Sequence, residues 1–329
     1  MVVREKGAVL IIILWILLAM SLLALSFSAS IRTEFNVARN VIDQKKSYYL
    51  ARAGIEYAVY KILGSQDFFL KAQEYKNSEM EAFSAVLPNP LNLSLSDGKA
   101  QVEIINETGK INLNLAPEHL IFNLLIMVGV EETEANVITD SIVDWRDKDD
   151  INRPDGAESD YYLSLPEPYM SKNGLFDVSE ELLLVRAVTP EIFYGVKTTT
   201  EIGEKIELYG LQKYFTTFTN IDRIDINSAP VAVLAAIPGI DYDIAVRMHS
   251  VARASPVANV ADIFEAIPGI RVDSAHYLST TGSSTYTLIS DGQLIDSSVI
   301  SRIRCVVRIG EISQGNSRIL YWNESNLEM

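Results

Sequence analysis

The sequence predicts an α+β fold in which one long N-terminal helix packs on an antiparallel sheet and a large, mostly α-helical domain is inserted between strands. Residues 8–64 lack proline, and apolar residues recur there at helical spacing. Two blocks, 91–114 and 283–322, alternate apolar and polar residues as strands do. The region between them has a helical pattern. We therefore predict one domain from residues 65–116 and 281–329, and an inserted domain from 117–280.

The N-terminal helix begins with a membrane-spanning segment. Residues 7–31 carry no charge, and about 20 apolar residues suffice to cross a bilayer. Arg4 and Lys6 precede this run, which predicts a cytoplasmic N-terminus and a body on the other side of the membrane. Residues 32–64 continue as an amphipathic helix, and Gly64 is the predicted end. The whole helix from Ala8 is then about 80 Å long at 1.5 Å per residue.

Three interpretations of this N-terminus remain open. One is a secretory signal that is cleaved near Ala29, and another is an uncleaved signal anchor. The third is a short charged leader, residues 1–7, that is cut between Gly7 and Ala8. The third leaves residues 8–31 on the mature chain as a transmembrane anchor, and the uninterrupted helix favours it.

Composition narrows the possible functions. The chain has 329 residues and a formal net charge of −15, which disfavours a nucleic-acid partner. A single cysteine, Cys305, excludes an internal disulfide framework and cysteine-rich metal sites, and we expect it in the core. The three histidines are isolated, and no catalytic motif occurs. We therefore expect a protein that is not an enzyme.

The predicted insert contains an internal repeat. INLNLAP at 111–117 recurs as IDINSAP at 224–230, and three Gly-Ile or Gly-Val pairs precede an alanine by six residues. This pattern is typical of helical hairpins, as in SAM-like or helix-hairpin-helix domains. Hairpins that bind DNA usually carry a second glycine where this chain has Glu131, Asp241 and Arg271. Two of these are acidic and would repel phosphate, so we expect helix packing and no nucleic-acid binding.

An acidic segment lies within the insert. Residues 131–160 hold eleven acidic and three basic side chains, and Gly156 allows a sharp turn among them. Calcium prefers six to eight oxygen ligands on a flexible loop, which this segment offers, although it lacks the EF-hand spacing. The candidate ligands are Asp147, Asp149, Asp150, Glu158 and Asp160. The alternative is a solvated acidic loop. Trp145 and Tyr161 are expected to pack beneath it.

Several stretches together resemble a known family. KGAVLIIILWILLAMSLLAL, RTEFNVARN, SYYLARAGIEYAVYK, INLNLAP, DSIVDWRDKDD and GAESDYY, in this order, resemble the K subunit of type II secretion systems, the large minor pseudopilin. The resemblance implies a pilin-like fold with an enlarged head, calcium in the insert, and leader cleavage after Gly7 by a prepilin peptidase with N-methylation of Ala8. It also implies a single-pass protein of the bacterial inner membrane with a periplasmic C-terminal domain.

The resemblance also implies partners and a position in a filament. The fifth residue after the predicted cut is Ile12, where major pilins carry a glutamate that pairs with a neighbour's terminal ammonium. A subunit with nothing above it has no such partner, so Ile12 fits the tip. Implied partners are minor pseudopilins I, J and H, the major pseudopilin G and the assembly platform, with secreted substrate or the outer-membrane secretin as further contacts. A tip pilin of a type IV pilus, or a membrane-anchored calcium or DNA receptor outside any filament, remains an alternative.

Overall fold

The computed structural model describes residues 5–74, 88–199, 205–208, 210–280, 284–310 and 317–324. Its N-terminal helix, α1, runs from Glu5 to Glu74 and is therefore about 105 Å long at 1.5 Å per residue. The helix continues through Gly64, so the predicted end at this glycine is wrong. A glycine within a helix costs about 1 kcal/mol and does not break it unless the chain must also turn there.

A five-stranded antiparallel sheet packs against the second half of α1. Its strands are β1 (Leu91–Leu95), β2 (Gly98–Asn106), β9 (Thr285–Leu294), β10 (Ile300–Ile309) and β11 (Ser317–Asn323), and their order is β1-β2-β9-β10-β11. β2 pairs with β9, which follows it by some 180 residues, so the two predicted strand blocks do share one sheet. The predicted α+β fold class is thereby confirmed.

Small residues allow α1 to approach the sheet closely. Ala51 and Ala58 are fully buried at its interface, and Gly54 lies between them. A Cβ on Gly54 would lie 2.5 Å from Ser290 Oγ and 2.9 Å from side-chain atoms of Ala100 and Val102. A Cβ on Gly292 in β9 would collide with the backbone of α1. Cys305 of β10 belongs to this core and is fully buried, as predicted.

A mostly helical insert separates β2 from β9. After β3 (Ile111–Asn112) come α2 (Glu118–Met127), α3 (Glu132–Arg146), α4 (Ser159–Leu163), α5 (Pro190–Tyr194), β4 (Val196–Thr199), β5 (Lys205–Leu208), β6 (Phe215–Thr216), β7 (Ile224–Asp225), α6 (Val231–Ala235), α7 (Tyr242–Ala254), α8 (Val260–Ala266) and β8 (Leu278–Ser279). These elements enclose their own hydrophobic core, separate from the core between α1 and the sheet.

The internal repeat has a structural counterpart. The first two residues of INLNLAP form β3, which pairs in parallel with β6. The first two residues of IDINSAP form β7, which pairs in parallel with β8. Asn112 and Asp225 occupy equivalent places, and each carboxamide or carboxylate oxygen accepts a hydrogen bond from the backbone N–H two residues later. Each motif leads into a helical hairpin that turns at a glycine of positive φ, Gly129 in the first and Gly239 in the second. β3 thus lies outside the five-stranded sheet.

The insert is joined to the sheet by buried and half-buried polar contacts. The buried Glu107 carboxylate accepts hydrogen bonds from Lys110 Nζ at 2.6 Å and from Thr287 Oγ1 of β9 at 2.7 Å. Arg304 of β10 forms an ion pair of 2.7 Å with Glu180 of the insert. Thr287 lies toward the end of β9 that is far from the β9–β10 turn. The insert is therefore attached at the end of the sheet that lies opposite the β9–β10 turn.

Two glycines of α1 provide a matched test of this packing. Gly54→Ala should lower the free energy of unfolding by about 1–2 kcal/mol, because overpacking outweighs the gain in helix propensity. Gly64→Ala should raise it by up to about 1 kcal/mol, since nothing lies within 4 Å of the added Cβ. Thermal unfolding of the full chain in detergent would compare them. Equal stabilities for both variants would contradict this packing.

Candidate metal centre

The acidic segment comprises α3 and the loop of residues 147–158 that leads to α4, which we call the acidic loop. Trp145, the penultimate residue of α3, lies beneath this loop and is 3% exposed. Its ring makes an edge contact with Tyr162 at 5.3 Å and stacks on Phe176 at 6.4 Å. Tyr161 is half-buried, with the Arg186 guanidinium over its ring. The loop thus rests on an aromatic base.

Three of the predicted ligands converge. Carboxylate oxygens of Asp147, Asp149 and Glu158 all lie within 4.8 Å of one another. Asp147 directly follows α3 and Glu158 directly precedes α4, so the two helix ends bring together residues that are eleven positions apart. Glu158 is 1% exposed, whereas Asp149 is exposed to solvent.

The other two predicted ligands lie outside this cluster. Asp150 Oδ1 accepts a hydrogen bond of 2.8 Å from Asn173 Nδ2. Asp160 accepts one of 2.8 Å from the backbone N–H of Tyr161, and Asn152 Nδ2 lies 3.4 Å from both of its oxygens. Amide contacts do not separate them from the cluster, because Asp147 Oδ1 and Asp149 Oδ1 also accept hydrogen bonds from backbone N–H groups. Position separates them, since only Asp147, Asp149 and Glu158 lie close enough together to share an ion.

Asp144 is a buried acid that the sequence analysis did not single out. It is fully buried in the last turn of α3, and its Oδ2 accepts a hydrogen bond of 3.2 Å from the backbone N–H of Arg153. A Cβ on Gly156 would collide with the same carboxylate, so only a glycine fits at this position. Helical spacing gave only a weak signal, because Asp144 lies three positions after Ser141 and residues 141–145 are all buried.

Two buried carboxylate oxygens among the described residues of this region have no hydrogen-bond partner. They are Glu158 Oε1 and Asp144 Oδ1, although Arg153 Nε approaches the latter at 3.8 Å. Buried polar atoms are normally satisfied, so an unpaired carboxylate oxygen beside two further carboxylates has the properties of a cation ligand. Oxygen-only donors fit a hard divalent ion such as Ca²⁺.

Burial and mutual repulsion shift the titration of these groups. Burial raises the pKa of Glu158 from its ordinary 4.5 to about 7, the charges of Asp144, Asp147 and Asp150 add to the increase, and the hydrogen bond from Ser171 opposes it. Burial also raises the pKa of Asp144, against the backbone hydrogen bond from Arg153. Without a cation, Glu158 in the folded protein is therefore mostly protonated below about pH 7.

Without divalent cations, the free energy of unfolding should fall as the pH rises. Between pH 4.5 and about 7 the folded state holds the Glu158 proton more tightly than the unfolded state does, so stability is lost as pH rises through this range. Glu158→Gln should flatten that slope, leaving the part that comes from Asp144. Melting temperatures in EDTA from pH 4.5 to 8 would measure both. An identical slope in the variant would contradict the assignment.

The residues predicted to be processed lie at the start of α1. Gly7 and Ala8 fall within the helix, and Ile12 is one turn further on and exposed. Its apolar neighbours from Val9 to Leu25 are exposed as well. Among the described residues, α1 alone is long and apolar enough to cross a membrane, and it fits a single-pass anchor.

Comparisons with known proteins agree with this architecture. Residues 93–198 match the family model for type II secretion system (T2SS), protein K. Type II secretion system protein K of Aeromonas hydrophila is 26% identical over 220 residues, which cover 58% of this chain and 61% of that protein. A putative type II secretion system protein K of Escherichia coli (strain K12) is 26% identical over 225 residues, covering 62% and 66%. This chain thus matches slightly less than two thirds of the length of these relatives.

Over residues 93–198 the chain is similar to type II secretion system protein K. The matched residues 93–198 include the acidic loop and both helices that flank it.

A solved structure supports the fold of this protein K-like chain. One chain in the crystal structure of the GspK-GspI-GspJ complex from the enterotoxigenic Escherichia coli type 2 secretion system superposes with a TM-score of 0.63 at 14% identity. The superposition covers 88% of this chain and 99% of that chain. At this identity the similarity establishes the shared fold.

Proposed function

We propose that this chain is the tip subunit of a type II secretion pseudopilus, where it initiates assembly with minor pseudopilins I and J and so supports protein export. The observation that carries the proposal is the position of the insert at the far end of the sheet from the membrane helix. A head enlarged at that end leaves no surface for another subunit to stack above it. The solved complex of a related fold with two such partners supports the same assignment.

Ile12 supports the tip position independently. In a filament of packed apolar helices, a glutamate at the fifth mature position needs the terminal ammonium of a neighbour to offset its desolvation. A tip subunit has no neighbour above it, and an isoleucine avoids an unpaired charge. The proposed pathway begins with cleavage after Gly7 and methylation of Ala8. It continues with anchoring in the inner membrane, N-terminus in the cytoplasm, and extraction by the assembly platform into contact with pseudopilins H and G.

Substitution at Ile12 tests the tip position. Ile12→Glu should reduce recovery of the complex with I and J from membranes about tenfold, because an unpaired charge in the helix bundle adds at least about 1.4 kcal/mol. Ile12→Leu keeps the apolar surface and should leave recovery unchanged. Co-purification with tagged I measures both. Normal recovery of the glutamate variant would argue against a position with no partner above.

We further propose that Asp147, Asp149 and Glu158 hold a structural calcium ion, with Asp144 as a neighbouring buried oxygen. The carboxylates lie close enough to share one ion, and Glu158 Oε1 has no other partner. A cation would offset the repulsion among them and fix the ends of α3 and α4. The role is structural, so it accords with a protein that performs no catalysis.

Calcium should stabilise the folded chain through this cluster. At one hundred times its Kd a single bound ion adds about 2.7 kcal/mol to the free energy of unfolding. Glu158→Gln should remove most of this increment. Asp160→Asn removes the same charge from the same segment but lies outside the cluster, so it should retain the increment. Thermal unfolding with calcium and with EDTA provides the comparison, and loss of the increment in Asp160→Asn alone would reassign the ligands.

A further inference from the structure

The end of the sheet nearest the membrane segment of α1 carries both charged and exposed apolar side chains. Two turns lie there, Ser96–Asp97 between β1 and β2 and residues 295–299 between β9 and β10. The register places Leu95, Gly98 and Leu294 in one row, with Ile300 opposite Gln293 beside it. We call these two turns and their flanking residues the lower rim.

The lower rim lies close to the membrane segment. It faces Arg39, Asp43 and Lys46 of α1, and together they enclose an open cavity of about 300 Å³. Arg39 follows Ile31, the last residue of the uncharged run, by eight positions, or about 12 Å along the helix. The insert lies beyond the other end of β9, about 30 Å away at 3.3 Å per strand residue.

The rim is held firmly against α1. Ser47 Oγ donates a hydrogen bond of 3.1 Å to Val299 O, and Ser301 Oγ donates one of 3.1 Å to Gln44 O. The two turns are tied to each other by the bond from Ile295 N to Asp97 O at 3.2 Å. Any tilt of α1 therefore moves the rim with it.

The rim combines both signs of charge with exposed apolar side chains. The cavity is lined by the cations Arg39 and Lys46 and by the carboxylates of Asp43, Asp97 and Asp296. The Arg39–Asp43 pair is long, at 3.8 Å, and Arg39 is 59% exposed, so the guanidinium retains free donors. Leu95, Ile295 and Ile300 are exposed at the same end, and Ile295 is 70% exposed.

We propose that the lower rim rests on the bilayer surface from which α1 emerges and that its cavity takes the headgroup of a zwitterionic phospholipid with a primary amine. The phosphate would meet Arg39 and Lys46, and the ammonium would meet Asp97 and Asp296. Leu95, Ile295 and Ile300 would enter the interfacial region. This inference rests on the membrane anchoring in the proposed function, and on no other part of it.

The length of the apolar segment allows the lower rim to reach the bilayer surface. Residues 8–31 span about 36 Å as a helix, whereas the hydrocarbon core is about 30 Å thick, so the helix tilts to match it. The headgroup region adds about 5–7 Å on each side. A tilt toward the sheet lowers the rim through the remaining distance, and interfacial anchors are what select the direction of a tilt.

Fluorescence quenching in vesicles tests the contact. The full chain, with Ser298→Cys carrying a fluorophore, is placed in phosphatidylethanolamine–phosphatidylglycerol vesicles that contain headgroup spin-labelled lipid. Ser298 is exposed in the β9–β10 turn and does not line the cavity. Cys305 does not interfere, because it is fully buried and burial raises its pKa to about 12. Val272→Cys, 80% exposed on the insert, is the reference site. A second variant adds Arg39→Gln and Lys46→Gln, both at exposed positions, to Ser298→Cys.

We expect severalfold stronger quenching at Ser298 than at Val272, and loss of most of that excess in the double glutamine variant. Equal quenching at the two sites, or an excess that survives the glutamine substitutions, would overturn the inference. Flotation of the chain with the vesicles distinguishes a failure of membrane anchoring from a failure of the rim contact. A chain that does not float contradicts membrane anchoring itself, whereas a chain that floats without the excess contradicts only the rim contact.

Discussion

The close packing of α1 on the five-stranded sheet is the constraint on which the rest of the structure depends. Ala51, Gly54 and Ala58 present a small-residue surface, and Gly292 of β9 meets it from the sheet. Because side chains larger than these would separate helix and sheet, the interface fixes the sheet against the middle of the part of α1 that follows the membrane segment. The insert then has one place to extend, which is the far end of the sheet.

Elements with long, regular patterns could be predicted from the sequence. The unbroken apolar run and the proline-free continuation predicted α1, and alternation predicted the sheet on both sides of the insert. The features that could not be predicted depend on contacts between residues that are far apart in the sequence. β3 pairs with β6 because Ile111 N bonds to Tyr214 O, about one hundred residues away, and nothing local distinguishes it from a further antiparallel strand.

The acidic loop illustrates the same limit within one site. Composition located it, yet five equivalent carboxylates gave no means of ranking Asp147 above Asp150. Ranking required the loop conformation, which brings the oxygens of Asp147, Asp149 and Glu158 within 4.8 Å of one another and leaves Asp150 and Asp160 outside that group. Asp144 gave only a weak signal, through its position in α3. Three carboxylates lie close together there, and one of them, Glu158, has an unpaired buried oxygen. Such local conflicts occur at functional sites, and this one is the basis of the calcium proposal.

The central claim is that α1 is a processed helix, first a membrane anchor and then the packing element of a filament. The most direct measurement is the intact mass of the protein from its own membranes, with and without the prepilin peptidase. The account predicts loss of residues 1–7 with a methyl group on Ala8, and only when the peptidase is present. An uncut chain, or one cut near Ala29, would contradict it.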